Sequence, residues 1–143
     1  MPLLLPRAGL ALALCLALVG LVTPTAGASS NPPRLSTYIS GTSDTGKVTL
    51  LACQRRNPTS GNIRIFARID NRKSRASATA TIAIVREGEV VRRQRLETVA
   101  ERARGPVTSF VVADRPGLRS RVTLTSGSGS SGSLGPLSFA TCG

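Results

Sequence analysis

Residues 62–70 read NIRIFARID, and this strict alternation constrains the fold more than any other feature of the chain. Ile63, Ile65, Ala67 and Ile69 fall on one side of an extended backbone, and Arg64, Phe66, Arg68 and Asp70 on the other. A period of two belongs to a half-buried strand; a helix would scatter the same apolar residues around its circumference. Residues 77–86 (SATATIAIVR) repeat the pattern with Ala78, Ala80, Ile82 and Ile84, and residues 119–125 (RSRVTLT) with Val122 and Leu124 inward and Arg121 and Thr123 outward. Further β-type runs lie at 35–40 (LSTYIS), 47–54 (KVTLLACQ), 107–113 (VTSFVVA) and 137–142 (LSFATC).

Turn formers punctuate these runs. Asn57-Pro58-Thr59-Ser60-Gly61 and Asp70-Asn71-Arg72-Lys73-Ser74 each separate two of them, Glu87-Gly88 reads as a tight hairpin, and Pro116-Gly117 as a turn. Residues 126–133 (SGSGSSGS) are low in complexity and are expected to form a flexible Gly/Ser-rich loop. Residues 90–104 (VVRRQRLETVAERAR) read as a strand to about Val99; Leu96, Val99, Ala100 and Ala103 also share one helical face, so a short helix is the alternative. Seven or eight short strands at this spacing predict an all-β chain. The architecture expected is a single antiparallel β-sandwich with one disulfide, resembling the immunoglobulin or fibronectin type III arrangement, although the chain has no tryptophan. The predicted core is Val48, Leu50, Ile63, Ile65, Ile69, Ile82, Ile84, Phe110, Val112, Val122 and Leu124.

The first residues carry a different signal. One basic residue, Arg7, precedes an uncharged apolar run at 8–22, and Ala26, Gly27 and Ala28 offer a small-residue cleavage site. This is the pattern of a secretory signal peptide over residues 1–28, whose apolar run is shorter than the roughly 20 residues a membrane span requires. The expected product is a secreted, extracellular or cell-surface protein with no membrane span after cleavage. It has a flexible lead-in at 29–34 and one domain at 35–143. Cys15 would leave with the signal, so Cys53 and Cys142 are the expected disulfide in an oxidising compartment.

Residues 41–48, GTSDTGKV, match the phosphate-binding loop pattern except at its end. That loop needs Ser or Thr after the lysine, to ligate magnesium, and a helix whose first N–H groups hold the phosphates. Val48 follows Lys47 here, and the next residues are strand-like, so a polar hairpin or loop is expected. The chain has no histidine, the commonest general base and metal ligand. With its cysteines paired it also lacks a thiol nucleophile and the parts of a zinc site. No enzymatic activity, cofactor or metal is expected.

Nineteen basic residues face seven acidic ones, a net charge of +12 that falls to +11 if Arg7 is removed. Such a field attracts polyanions. The candidate binding residues are Arg64 and Arg68 on one strand's outer side, and Arg92, Arg93 and Arg95 after the hairpin. Tyr38, Phe66, Phe110 and Phe139 are the only aromatics, too few for a base-stacking platform, which disfavours specific nucleic-acid recognition. The expected function is a secreted, non-catalytic protein that binds or decorates an extracellular partner, either an acidic polymer or a protein. A second reading comes from residues 48–61, VTLLACQRRNPTSG, which are locally similar to a V-T-L…C…P stretch of the Streptomyces subtilisin inhibitors. That resemblance implies a secreted serine-protease inhibitor. Those inhibitors carry two disulfides, one bracing the reactive loop, and this chain has cysteines for only one after cleavage.

Overall fold

The computed structural model describes residues 32–127 and 129–143, with the backbone alone at 129–134. The expected signal peptide and the first half of the lead-in, residues 29–31, lie outside the described residues. Eight strands form two antiparallel sheets of four, with no helix among the described residues. They are β1 (Ser36–Ser43), β2 (Gly46–Asn57), β3 (Asn62–Ser74), β4 (Ala78–Arg86), β5 (Glu89–Arg95), β6 (Thr108–Ala113), β7 (Arg119–Ser126) and β8 (Gly129–Pro136). The first sheet runs β1-β2-β3-β6 and the second β5-β4-β7-β8.

Both sheets bury their alternate residues in one cluster. Val48, Leu50 and Ala52 of β2, Ile63, Ile65, Ala67 and Ile69 of β3, and Phe110 and Val112 of β6 come from the first sheet. The second adds Ala78, Ala80, Ile82 and Ile84 of β4, and Val122 and Leu124 of β7. Every residue of the predicted core is buried. Each fully buried Ile, Leu or Val contributes about 1.5–3 kcal/mol by leaving water. Tyr38 of β1 bonds through its hydroxyl to the Ser120 hydroxyl of β7, joining the sheets, and its ring centroid lies 4.4 Å from that of Phe139.

The phosphate-loop look-alike is a β-hairpin. Thr42 and Ser43 end β1, Asp44 and Thr45 make the turn, and Gly46 opens β2 at φ +124°. A Cβ on Gly46 would lie 2.2 Å from the Lys73 carbonyl oxygen, so glycine is required where β3 comes closest. Glu87 and Gly88 form the expected β4–β5 hairpin, both at positive φ (53° and 87°), as a two-residue turn matched to strand twist requires.

Four sequence expectations are corrected. Residues 126–133 are not a loop: they include the end of β7 and much of β8, which pairs with β7 from Arg119↔Pro136 to Ser126↔Gly129. Glycine and serine carry no side-chain periodicity, so the strand is specified by the backbone ladder that β7 presents. Asp70 to Ser74 is not a turn, because β3 runs through Ser74 past a register shift opposite Val48. Residues 137–142 form no regular strand; they follow β8 and reach β2 by a parallel bridge, Gln54↔Thr141. There Gln54 N–H donates to Ala140 O at 2.8 Å and Cys142 N–H to Gln54 O at 3.0 Å, occupying the part of the β2 edge that β1 leaves free.

The fourth concerns residues 90–104. The strand ends at Arg95, not Val99, and no helix follows. Residues 96–105 instead cross between sheets. Leu96 and Val99 donate to Ala80 and Ala78 of β4, and Gly105 and Arg102 to Ile69 and Ser74 of β3. Leu96 and Val99 are buried, so the spacing that suggested a helical face marks the residues that plug this side of the core. Asn71, fully buried, holds the crossing in place: its Nδ2 donates to the carbonyls of Ala76 (2.8 Å), Val99 (3.3 Å) and Ala100 (2.8 Å).

The expected disulfide is present. Cys53 of β2 is bonded to Cys142, 89 positions on, with their Cα atoms 5.0 Å apart.

Candidate functional site

The five arginines singled out by sequence do not form one site. Because the two sheets share a core, their outer faces point in opposite directions. Arg64 and Arg68 lie on the outer face of the first sheet, paired across β2 with Arg55 and Leu51. Arg93 and Arg95 lie on the outer face of the second sheet, opposite Ala83 and Thr81 of β4. Arg92 sits one register position from Arg93 and so faces the other way, into a cleft at the edge of the fold.

The first sheet's outer face is a mixed-charge surface. Asp70 is its acid, opposite Thr49. It accepts hydrogen bonds from Arg72 Nε (2.9 Å) and Nη2 (2.8 Å), and from Arg104 Nη2 (3.1 Å). The Arg72 side chain, helped by its own backbone N–H and by Arg104, holds the carboxyl well below the usual carboxylate range, against an opposing effect of burial. Arg68 beside it is pushed the other way: desolvation, then repulsion from Arg104, lowers its guanidinium pKa. Arg55 stacks its guanidinium 5.9 Å from the Phe66 ring centroid. Asp70 thus engages Arg72 and Arg104 on this face, while Arg64 and Arg68 have no ion-pair partner among the described residues.

The second sheet's outer face is different. Its central strand β4 presents Thr81 and Ala83, both short. On one side stand Arg93 and Arg95 of β5; on the other, Arg121 and Thr123 of β7. These residues and Val90 line a trough of about 430 Å³ along β4, with no carboxylate in its lining. Arg119, two positions before Arg121, extends the basic row on the same face. Residues two apart on a strand are separated by about 7 Å and β5 lies about 10 Å from β7, so the guanidinium stems form two rows across a shallow channel. Among the described residues no ion pair engages Arg93, Arg95, Arg119 or Arg121. The acids near other arginines are committed: Asp114 to Arg56 at 3.0 Å and Glu87 to Arg86 at 3.3 Å.

No family model, curated protein or solved structure matches this chain. Among the described residues no three His, Cys, Asp or Glu side chains gather into a possible metal site, and no helix is long and apolar enough to cross a membrane.

Arg121 was missed as a site residue, although its outward orientation was legible from the alternation in β7. That β7 lies beside β4, across from β5, was not. The inhibitor-like stretch 48–61 forms β2 and the turn into β3, where Asn57 Oδ1 accepts the N–H groups of Thr59 (2.9 Å) and Ser60 (3.1 Å). Its cysteine is tied to the C-terminal segment, and the turn is closed on itself by these bonds and by Gly61 N–H to Asn57 O at 3.1 Å.

Proposed function

We propose that this protein is a secreted, non-catalytic β-sandwich that binds an acidic extracellular polymer in the arginine-walled trough over β4. The observation that carries the reading is the trough itself: three unpaired arginines flank a floor of small residues, with no acid in the lining. An extended anionic chain lying along β4 would meet guanidinium groups on both sides. Guanidinium forks suit carboxylate, sulfate and phosphate oxygens, and their aliphatic stems cost little to desolvate. The first sheet's face suits such a chain less, because Asp70 engages Arg72 and Arg104 there.

An immunoglobulin-like assignment is supported by strand order. In that arrangement strands A, B and E share one sheet and C, F and G the other. In chain order β2, β3 and β6 take the first set of places and β4, β7 and β8 the second, with β5 beside β4 as a C′ strand. The disulfide departs from the usual B-to-F bridge, joining β2 to the C-terminal segment.

The test is binding of the mature protein to polyglutamate and dextran sulfate at low and at moderate salt. Log affinity should fall linearly with log salt, as counterion release requires. The triple variant Arg93→Ala, Arg95→Ala, Arg121→Ala should lose most of the affinity and much of the salt slope, while Arg64→Ala, Arg68→Ala should retain both. Equal losses from the two variants would make the charge a diffuse background and end the proposal. Weak binding by the wild type at both salts would end it too, and would turn the search to a protein partner.

A further inference from the structure

A second concavity lies at the open edge between the sheets, where the edge strands β5 and β6 face each other. It has a volume of about 360 Å³ and is lined by Arg86, Val91, Arg92, Arg115, Leu118 and residues 111–113 of β6. This is at the small end of the range for small-molecule sites, roughly 300–1,000 Å³. Its composition differs from that of the trough. Val91 and Val111 are both lining residues and both among the few large apolar side chains that stay exposed, at 53% and 41%. Leu118 and Val112, from the margin of the core, make the floor.

The cleft is built by a bulge. Ile84 pairs with Arg92 and Val85 with Val90, leaving Val91 as the extra residue on β5. A bulge re-aims side chains locally. Here Val90 lines the outer trough, whereas Val91 and Arg92 both line the cleft. One apolar and one cationic side chain are thus delivered to the same opening from consecutive positions. Arg86 arrives from the end of β4 and Arg115 from the turn between β6 and β7.

Three guanidinium groups ring this apolar floor, and among the described residues only that of Arg86 has an ion-pair partner. Glu87 pairs with Arg86, and Asp114 turns away to Arg56. Arg92 and Arg115 have no ion-pair partner among the described residues. The Nε of Arg86 is buried without a hydrogen-bond partner among the described residues, which leaves a donor over beside the cleft. A polyanion would satisfy the arginines but not the valines. An uncharged lipid would cover the valines but not the charges.

We propose that the cleft between β5 and β6 binds a small anionic amphiphile: a single carboxylate or sulfate head held by Arg92 and Arg115, with an alkyl tail against Val91, Val111 and Leu118. The site is separate from the trough and does not depend on the polymer reading. Charge complementarity orients the head, and apolar burial of the tail supplies the part of the affinity that salt does not screen.

The test uses sodium decanoate, well below its micelle-forming concentration, titrated by calorimetry and followed by methyl NMR of the folded wild-type protein. Decanoate should saturate one site and shift the methyl signals of Val91, Val111 and Leu118. Acetate and decanol, each carrying half of the chemistry, should bind at least ten-fold more weakly. The variants Arg92→Ala and Arg115→Ala should each weaken decanoate about ten-fold while leaving polyglutamate binding intact. Shifts confined to the residues over β4, no saturable binding, or equal binding of decanol would overturn the proposal. The wild-type methyl map decides the matter even where a variant folds poorly.

Discussion

Cys53 and Cys142 are covalently joined across 89 positions, and the bond pins a parallel segment against the β2 edge beyond the reach of β1. The clasp therefore does two things. It shortens the unfolded chain's freedom, and it covers backbone groups of Gln54 that would otherwise be an open edge. Replacing both cysteines by serine should lower stability by about 2–5 kcal/mol. The amides of Gln54 and Cys142 should lose hydrogen-exchange protection well before those of β3 and β4. Uniform loss of protection throughout the domain would show that the tail is not a separable unit.

Asp70 provides a pH prediction with a definite sign. Its pKa is depressed in the folded state, chiefly by the Arg72 side chain. The resulting stability is present above the unfolded carboxylate value of about 3.9 and is lost as pH falls from there toward the folded value. Asp70→Asn should cost about 1–3 kcal/mol at neutral pH. Urea midpoints of variant and wild type should then converge as pH drops below about 4. A difference that stays constant into acid would exclude the ion pairs as its source.

Asn71 carries the crossing segment. Asn71→Leu would fill much the same space but strand the carbonyls of Ala76 and Ala100, each of which accepts at 2.8 Å. Leaving these part-buried acceptors without the amide should cost about 1–3 kcal/mol in total. Exchange should rise first at Val99 and Gly105, whose amides bond β4 and β3. Unchanged stability would mean that residues 96–105 hold without the asparagine.

Gly46 and Gly88 both have positive φ, but only one is crowded. A Cβ on Gly46 meets the Lys73 carbonyl oxygen, whereas one on Gly88 meets nothing within 4 Å. Gly88→Ala should therefore cost about 1 kcal/mol from backbone strain alone. Gly46→Ala should cost more than about 2 kcal/mol, because β2 and β3 must separate as well. Thermal melts of the two variants side by side would check the ordering; a reversal would contradict the close approach of β3.

The face each residue presents was settled locally. Alternation at residues 62–70, 77–86 and 119–125 placed the core residues of those runs correctly, because the pleat makes sidedness a property of neighbours two apart. The hairpin at Glu87-Gly88 and the pairing of Cys53 with Cys142 were equally legible, one from turn chemistry and the other from elimination. Asn71-Arg72-Lys73 read as a turn because those residue types favour turns when they bond their own backbone. Here Asn71 spends its amide on a segment nearly thirty residues away, and the strand continues. Strand β8 had no side-chain signal to read, since its order comes from the ladder offered by β7. The trough follows the same rule. Arg121 announced by alternation that it points outward, and Arg92, Arg93 and Arg95 were expected together after the hairpin, but only the placing of β4 between β5 and β7 brought Arg93, Arg95 and Arg121 to one face, and long-range strand pairing of that kind leaves no trace in local sequence.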